Sequence, residues 1–260
     1  MRPSPQPLTL DWADNILTLR GERIPTGRLD IWYLEAYCRP NSTDAPWDQT
    51  TIGHTTRLVE RSADGTRLAL RCVLNDGVMV DHLVTATHDR VDFHLTAYNP
   101  TDRQSLAHWA QPCIRVGGFT GLDAERTDDP YAYIGRCFVF QNGRLQFMPT
   151  SDWATGARYT PGQVWAAPGV PRDDVNPRPL NPHSPDNGLI GCVSADGRML
   201  MATAWEPYQE LFQGVIRCIH SDFRIGGLEA GERKTIRGVI YIVANGVEAL
   251  TARFRDDFDR

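Results

Sequence analysis

The sequence predicts an all-β protein of antiparallel strands that ends in a short helix. Three observations predict this class: four apolar-alternating runs between Thr51 and Pro100, hairpin dipeptides along the chain, and helical spacing confined to the C-terminus. The chain has 260 residues and is 41% hydrophobic, with apolar positions along its whole length, so it can bury a large core. All-β proteins of this length are often one unit, and we expect a single domain over residues 1–260.

The region between Thr51 and Pro100 has the clearest strand pattern. Its four runs are separated by Asp64-Gly65, Asp76-Gly77 and His88-Asp89. Asp-Gly pairs supply the positive φ that tight hairpins require, and period-two runs of this length are typical of half-buried strands. We therefore predict an antiparallel meander here.

The same reasoning predicts later strands and one helix. Asn142-Gly143 and Asp196-Gly197 mark two further hairpins. The predicted strands are RCFVF, RLQFM, LIGCVSA, RMLMATAW, GVIRCIH and TIRGVIYIV. The last segment, GVEALTARFRDDF, has Val247, Leu250 and Phe254 near helical spacing and predicts a helix.

A proline-rich segment at about residues 151–188 interrupts the strands. Proline lacks the N–H that a sheet ladder needs, so its seven prolines do not fit a central strand. Loops this long in compact domains are usually functional or disordered. Because this one carries Trp153, Tyr159 and Trp165 beside charged residues, we predict an ordered loop that covers a binding site.

Composition and charge exclude several classes of function. The net charge is -5, and 27 Lys and Arg are interspersed with 32 Asp and Glu, which argues against a nucleic-acid surface. The first ten residues lack an apolar signal segment and no long uncharged apolar run follows, so we expect a cytoplasmic protein with no membrane partner. The six cysteines are scattered without a CxxC, which favours buried free thiols in a reducing compartment.

The sequence assigns no cofactor. Its seven histidines show no HxH or HxxxH spacing, and neither a glycine-rich phosphate loop nor a GxSxG motif is present. Metal ligands that are distant in sequence cannot be recognised from spacing, so no metal ligand is predicted and a divalent metal stays open.

The segment RLDIWYLEAYCRP is predicted as a central strand because both of its faces are largely apolar. Strict alternation puts Tyr33, Glu35 and Tyr37 on one face. A carboxylate among tyrosines needs a partner, and Arg39 on the same face is the simplest. Two interpretations stay open: a buried Glu35–Arg39 ion pair, or a carboxylate that faces a sugar while tyrosines bind its hydroxyls.

The segment AHWAQPCIRV predicts a ligand-binding wall. In a strand, Trp109, Gln111 and Arg115 share one face and offer an aromatic ring and hydrogen-bonding groups. His108 points the other way, among apolar neighbours. It is either a core histidine or a proton donor.

The segment WEPYQ places an acid at the end of a strand. Pro207 forces Glu206 into an extended conformation and removes a ladder donor, so the strand should stop there with Glu206 exposed beside Trp205. Glu206, Glu210, His220 and Asp222 are then expected to converge for general acid–base catalysis. The alternative is a solvated rim without chemistry.

Four short motifs in order resemble the galactose-mutarotase-like supersandwich superfamily over about Asp81 to Val243: YNPTDRQ, QPCIRV, EPYQ and LEAGE. The resemblance implies an antiparallel β-supersandwich of two large twisted sheets. In aldose epimerases of this type a histidine protonates the ring oxygen and a glutamate takes the anomeric proton. The glutamate is similar to Glu206, whereas Gln111 stands where the histidine is expected.

The departure at Gln111 leaves several activities open. An amide does not transfer protons at neutral pH, so His108 or His220 replaces the histidine, or the protein performs another reaction on a sugar, or only binds one. Our leading hypothesis is a carbohydrate-active enzyme for hydrolysis, elimination or epimerisation of a mono- or oligosaccharide. A non-catalytic carbohydrate-binding module is the alternative. A third interpretation is a structural or assembly protein whose exposed aromatic face forms the interface of a homo-oligomer. The predicted site comprises Glu206, His220 and His108 as catalytic groups, with Glu35, Tyr37, Arg39, Trp109, Gln111, Arg115, Trp153, Trp165, Trp205 and Asp222 around the substrate.

Overall fold

A computed structural model describes residues 6–150 and 158–258, and within these ranges the chain is built mainly of β-strands. The strands are β1 (Thr9–Ala13), β2 (Ile16–Arg20), β3 (Arg28–Cys38), β4 (Thr51–Ile52), β5 (His54–Arg61), β6 (Arg67–Leu74), β7 (Met79–Ala86), β8 (Arg90–Tyr98), β9 (Trp109–Arg115), β10 (Cys137–Gln141), β11 (Arg144–Phe147), β12 (Val164–Ala166), β13 (Ile190–Val193), β14 (Met199–Glu206), β15 (Tyr208–Gly214), β16 (Cys218–Arg224) and β17 (Arg233–Ala244). The α-helices are α1 (Trp47–Thr50), α2 (Gly117–Thr120) and α3 (Val247–Phe258), and single 3₁₀ turns span Ala132–Arg136 and Arg172–Asp174.

The strands form two antiparallel sheets. The eight-stranded sheet has the order β1-β2-β3-β9-β16-β15-β12, with β4 paired to the end of β3. The nine-stranded sheet has the order β11-β10-β13-β14-β17-β8-β7-β6-β5. The prediction of an all-β fold with two large antiparallel sheets and a C-terminal helix is confirmed.

The hairpins predicted from Gly-containing dipeptides fall between paired strands. Gly143 (φ 74°) turns the chain from β10 to β11, and Gly197 (φ 73°) turns it from β13 to β14. Both angles lie in the left-handed region that glycine adopts without a steric cost. Local turn chemistry therefore sets these strand pairings.

Several strand assignments differ from the sequence prediction. Strand β15 was not predicted, and the predicted strand GVIRCIH contains the turn at residues 215–217 that joins β15 to β16. The hairpin of β1 and β2 was not predicted, although Asp14 and Asn15 at its turn, with φ of 51° and 60°, belong to the residue types that tolerate this conformation. The proline-rich segment, predicted as a loop, contains the short edge strand β12, which pairs with β15. Its three residues lie between prolines, where an edge strand can form.

The main core lies between the two sheets. Trp205 on β14 fills its centre, with ring centroids 5.1 Å from Phe93 and 4.9 Å from Phe223. Gly238 on β17 lies opposite, and a Cβ there would overlap the Trp205 ring. Trp205 therefore packs the core, which corrects the expectation that it contacts a substrate.

The outer faces of the two sheets are covered differently. Helix α3 packs on the nine-stranded sheet, where Leu250 joins an apolar cluster with Phe140 and Tyr241. The proline-rich segment and α1 cover the eight-stranded sheet: Val175 packs near Phe212, and α1 packs on β9 and β3. The proline-rich segment and α1 leave room for a pocket on the eight-stranded sheet.

An irregularity in β3 decides which of its side chains reach that pocket. Trp32 pairs with Cys113 and Ala36 with Gln111, so three residues of β3 face one residue of β9. Extra residues of this kind break the alternation of side chains. Tyr33 therefore points into the core, while Glu35 points to the outer face.

His82 on β7 is held in the core by two tyrosines of β3. Its Nδ1 lies 2.7 Å from the Tyr33 hydroxyl and its Nε2 lies 3.2 Å from the Tyr37 hydroxyl. Tyr37 is completely buried in this arrangement, which corrects the expectation that it binds a substrate. Burial lowers the pKa of His82 to about 3, against a smaller opposing effect from the charge of Asp81.

None of the helices in the described part of the chain has both the length and the apolar character needed to cross a membrane.

The stability of the protein is expected to fall below pH 6.5 because of His82. The folded state keeps His82 neutral down to about pH 3, whereas the unfolded chain takes up the proton near pH 6.5. Stability is lost as the pH falls through this window, by about 2 kcal/mol between pH 6.5 and pH 5. Urea unfolding of wild type and His82→Gln across this range measures the effect.

In His82→Gln, the free energy of unfolding should change less with pH than in wild type, by the contribution of one titrating group. Glutamine keeps polar contacts but does not titrate. His94→Gln changes an exposed histidine on β8 and is the matched control. Equal pH dependence in wild type and His82→Gln would show that His82 is not a neutral buried group.

Candidate functional site

A pocket of about 140 Å³ opens on the outer face of the eight-stranded sheet. Strands β3, β9, β15 and β16 form its floor, and α1 and the proline-rich segment form its rim. Its lining consists of Glu35, Trp47, Gln111, Tyr159, Pro177, Phe212, Gly214, Val215, Ile216, Cys218 and His220. The prediction that the proline-rich segment covers a pocket fits the position of Tyr159 and Pro177.

Glu35 and His220 form the polar centre of the floor. His220 Nε2 lies 4.0 Å from Glu35 Oε2. The Glu35 side chain is 23% exposed and that of His220 is 4% exposed. The carboxylate thus reaches the open part of the pocket, and the imidazole lies beneath it with its Nε2 edge facing the acid.

Two neighbours orient the His220 ring. Its Nδ1 lies 3.3 Å from Asp222 Oδ1, which is fully buried. Its plane stacks on Phe212 of β15, with centroids 4.2 Å apart and 9° between the planes. A carboxylate on one ring nitrogen fixes the tautomer and leaves the other nitrogen for chemistry.

A second buried carboxylate lies next to Asp222. Glu210 pairs with Asp222 across β15 and β16. Neither Glu210 oxygen has a hydrogen-bond partner among the described residues. Burial first, and then the Asp222 charge, raises the pKa of Glu210 well above its usual range. Burial also raises the pKa of Asp222 to about 6, although its hydrogen bond with His220 opposes the shift.

Two thiols complete the floor. Cys218 Sγ lies 3.5 Å from His220 Nε2, and the sulfur of Cys113 is also close to both. Burial opposes ionisation of Cys218, but contact with Cys113 and the charge of His220 outweigh it and lower its pKa. Burial lowers the pKa of His220, but Cys218 and Asp222 together raise it well above its usual value. The close contact of Cys218 with His220 thus shifts the two pKa values in opposite directions.

An aromatic pair forms the rim of the pocket. The rings of Trp47 and Tyr159 lie 5.5 Å apart, and 43% of Tyr159 is exposed. Both residues also line the pocket beside Phe212. A flat ligand that enters the pocket therefore meets ring surfaces at the rim and polar groups at the floor.

Four of the predicted site residues come together here. Glu35, Gln111 and His220 line the pocket, and Asp222 lies directly behind His220. The predicted partner of Glu35 differs, because Arg39 donates to the backbone oxygen of Thr51 instead.

Glu206 is not part of this group. It ends β14 in the nine-stranded sheet, as Pro207 predicted, and its side chain is 50% exposed. Arg237 on β17 holds it at 2.5 Å, and Arg237 also donates to the α3 backbone. The expectation that Glu206 and His220 share one site is corrected, because the core of the protein lies between them.

His108 also lies apart from the pocket. Its Nδ1 is 3.3 Å from Asp174 Oδ2, and Arg224 holds the same carboxylate at 2.8 Å. Arg224 further donates to Gln209. His108 thus belongs to a separate polar cluster, and its predicted role as the proton donor is not supported by its position.

The remaining predicted residues pack the protein or lie outside the described ranges. Trp109 and Trp165 are fully buried, the first against Trp47 and the second in the main core. The guanidinium of Arg115 lies over the Trp32 ring, 5.8 Å from its centroid. Trp153 falls in residues 151–157, which are outside the described part of the chain.

Sequence reasoning missed the two thiols and two of the rings at the pocket. The sequence predicts Cys113 and Cys218 as buried free thiols, which they are, but their proximity to His220 depends on strand pairing. The order Cys-Ile-His in GVIRCIH puts Cys218 and His220 on one face of a strand. This pattern could have identified Cys218 as a neighbour of His220. The sequence around Trp47 and Phe212 contains no pattern that indicates a position at the pocket.

Comparison with known proteins finds structural likeness without sequence relatives. No family model matches the chain, and no curated protein matches it. A galactose mutarotase-like protein from Lactobacillus casei has a TM-score of 0.46 and 10% identity, and covers 90% of this chain and 99% of its own. Galactose 1-epimerase from Lactobacillus acidophilus has a TM-score of 0.36 and 7% identity over 92% of this chain and 98% of its own. An alpha-mannosidase from Enterococcus faecalis has a TM-score of 0.48 and 8% identity, and covers 94% of this chain and 29% of its own.

These matches include the superfamily that the sequence motifs resemble. With TM-scores below 0.5, they carry no argument about what this chain does.

Replacing Glu210 by glutamine is expected to stabilise the protein at pH 8. The raised pKa of Glu210 means that stability is lost as the pH rises above about 4.5, since the unfolded chain releases this proton while the buried carboxyl still holds it. Glutamine keeps the shape of the side chain and removes this loss of stability. The gain in unfolding free energy is about 1.4 kcal/mol for each pH unit between 4.5 and the raised pKa of Glu210. Thermal unfolding at pH 5 and pH 8 measures it.

The exposed Glu125→Gln is the matched control and should leave both melting temperatures unchanged. A lower melting temperature for Glu210→Gln at pH 8 than for wild type would mean that Glu210 is charged and paired in the folded protein.

Proposed function

We propose that this protein is a carbohydrate-active enzyme that transfers protons on a single sugar ring bound in the pocket. The observation that carries the proposal is the pair of Glu35 and His220, 4.0 Å apart at the pocket floor and backed by buried Asp222. A carboxylate and an imidazole within reach of one substrate are the groups that general acid–base catalysis uses.

The lining supports a sugar as the ligand. Sugars have apolar ring faces and many hydroxyls, and the pocket offers the rings of Trp47 and Tyr159 with the polar groups of Glu35 and Gln111. Its volume of about 140 Å³ is below the roughly 300 Å³ at which pockets for drug-sized ligands begin. We infer a monosaccharide or one terminal sugar unit.

The arrangement favours proton transfer over glycoside hydrolysis. Most glycosidases use two carboxyl groups, about 5 to 9.5 Å apart, on the two sides of the scissile bond. Among the described residues that line this pocket, Glu35 is the only acid. The closely spaced carboxylate and imidazole can exchange protons with two neighbouring oxygen atoms, such as the ring oxygen and the anomeric hydroxyl of a free sugar.

A ring opening follows from this placement. His220 donates a proton from Nε2 to the ring oxygen while Glu35 accepts the proton of the anomeric hydroxyl, so the C1–O bond of the ring breaks and a carbonyl forms. Asp222 stabilises the charged imidazole through Nδ1. Reclosure on the other face gives the other anomer. His220 thereby replaces the histidine that the motif resemblance expects at Gln111.

A non-catalytic sugar-binding module is the second candidate. Gln111 favours it, because an amide at a position expected to hold a proton donor is suited to hydrogen bonding alone. The same pocket and the same ring contacts would serve it. The two candidates differ only in turnover.

Glu35→Gln is expected to lower turnover by about 10²–10⁴-fold while the fold is kept, because an amide cannot accept the proton. Wild type is first screened by NMR for the equilibration of freshly dissolved pure anomers of a panel of aldoses. Mass spectrometry of oligosaccharide digests tests cleavage and elimination in parallel. The variant is then compared on the sugar that wild type converts.

Glu206→Gln, a change at the same residue type on the opposite sheet, is the matched control and should keep wild-type turnover. Full activity in Glu35→Gln would remove Glu35 from the mechanism. Calorimetric heat of sugar binding without any product in wild type would establish the binding module instead.

A further inference from the structure

The floor of the pocket contains a set of side chains that the proton-transfer proposal does not use. Cys113 on β9 and Cys218 on β16 lie beside His220, and one ligand atom of each lies within 4.8 Å of the others. All three residues are buried. Within the described ranges, no other group of histidines, cysteines and acids meets this spacing.

We propose that Cys113, Cys218 and His220 bind a soft divalent metal ion, with Zn²⁺ as the best fit. In tetrahedral zinc sites the Zn–S distance is about 2.3 Å and the Zn–N distance about 2.0–2.1 Å, which puts sulfur and nitrogen roughly 3.6 Å apart. Cys218 Sγ and His220 Nε2 are 3.5 Å apart. The side chains are thus already placed for an ion between them.

The surroundings of His220 match those of a metal-binding histidine. Metal-ligating histidines usually bond a carboxylate or carbonyl through the second ring nitrogen, which fixes the ring and increases its basicity. Asp222 Oδ1 does this at Nδ1, 3.3 Å away, and leaves Nε2 for the ion. Asp222 is therefore a positioning residue for the site.

The fourth position faces the pocket. Cys218 and His220 both line it, which provides an entry path for the ion. Glu35 Oε2 lies 4.0 Å from His220 Nε2 and can supply the fourth ligand or bind a water in that place. Three protein ligands and a fourth position open to the pocket leave room for a water or another ligand on the ion.

The ligand types select the class of metal. Thiolates and imidazole favour Zn²⁺ and similar transition-metal ions, whereas Mg²⁺ and Ca²⁺ prefer sets of oxygen ligands. Two thiols with one imidazole therefore argue against the hard cations. The strand pairing supports the set, since His220 lies directly opposite Cys113 in the sheet.

Metal binding and the proposed function share His220, and this inference therefore rests on the same pocket. A coordinated Nε2 has no free lone pair or proton to transfer. The metal-loaded protein uses His220 as a ligand, so the metal-free protein carries the acid–base pair of Glu35 and His220. Sugar turnover is measured on chelator-treated protein and metal binding without sugar, so that the two proposals fail separately.

The test uses Co²⁺ as a spectroscopic probe for the zinc site. Full-length protein is reduced with a phosphine, freed of metal by a chelator and titrated with CoCl₂. We expect saturation at one ion per chain, with a thiolate-to-cobalt charge-transfer band and d–d bands of tetrahedral intensity, and displacement of Co²⁺ by Zn²⁺. Wild-type protein that shows no such bands would overturn the proposal, whatever the variants do.

Three variants assign the ligands. Cys113→Ser and Cys218→Ser should each weaken the charge-transfer band and the affinity for Co²⁺, whereas Cys192→Ser, a buried thiol on β13, should change neither. Asp222→Asn should keep the band but lower the affinity about 10–100-fold, as loss of a supporting carboxylate does elsewhere. Circular dichroism confirms that each variant is folded. Unchanged spectra in both folded serine variants would show that cobalt binds elsewhere and would contradict the assignment.

Discussion

The break in the alternation of β3 is the feature on which the rest of the site depends. Three residues of β3 stand against one of β9 between the pairs Trp32–Cys113 and Ala36–Gln111. Tyr33 can therefore bond His82 in the core while Glu35 reaches the outer face. With regular alternation the carboxylate would lie among the tyrosines, buried between two sheets at a large cost in solvation free energy.

The outer face of the eight-stranded sheet concentrates groups that a plain structural surface would avoid. Asp222 and Glu210 are fully buried there without a full set of hydrogen bonds, and two thiols lie beside His220. Perturbed ionisable groups of this kind cluster at functional sites, because burial and close charges are the means by which proteins tune reactivity. The other sheet's outer face, covered by α3, differs in kind: there Arg90 pairs with Asp257 and Arg237 with Glu206, so acids are matched by guanidinium groups.

The sequence predicted the layout of the fold better than the membership of the site. Hairpin glycines and period-two patterns fix local pairings, and the helical spacing of Val247, Leu250 and Phe254 identified α3. The site depends instead on which distant strands become neighbours. Proline after Glu206 correctly predicted the end of a strand, but not that the chain then passes to the other sheet. The break in β3 has no glycine or proline within β3 itself; Pro112, which faces it, lies on β9, and only the pairing of these distant strands brings the two together.

The most direct measurement is a crystal structure of metal-free protein soaked with a monosaccharide that binds by calorimetry. Our account predicts the sugar ring in the pocket, with a hydroxyl or ring oxygen in contact with Glu35 and His220 and a ring face against Trp47 or Tyr159. A sugar bound only outside this pocket, for example beside Glu206 and Arg237, would contradict it.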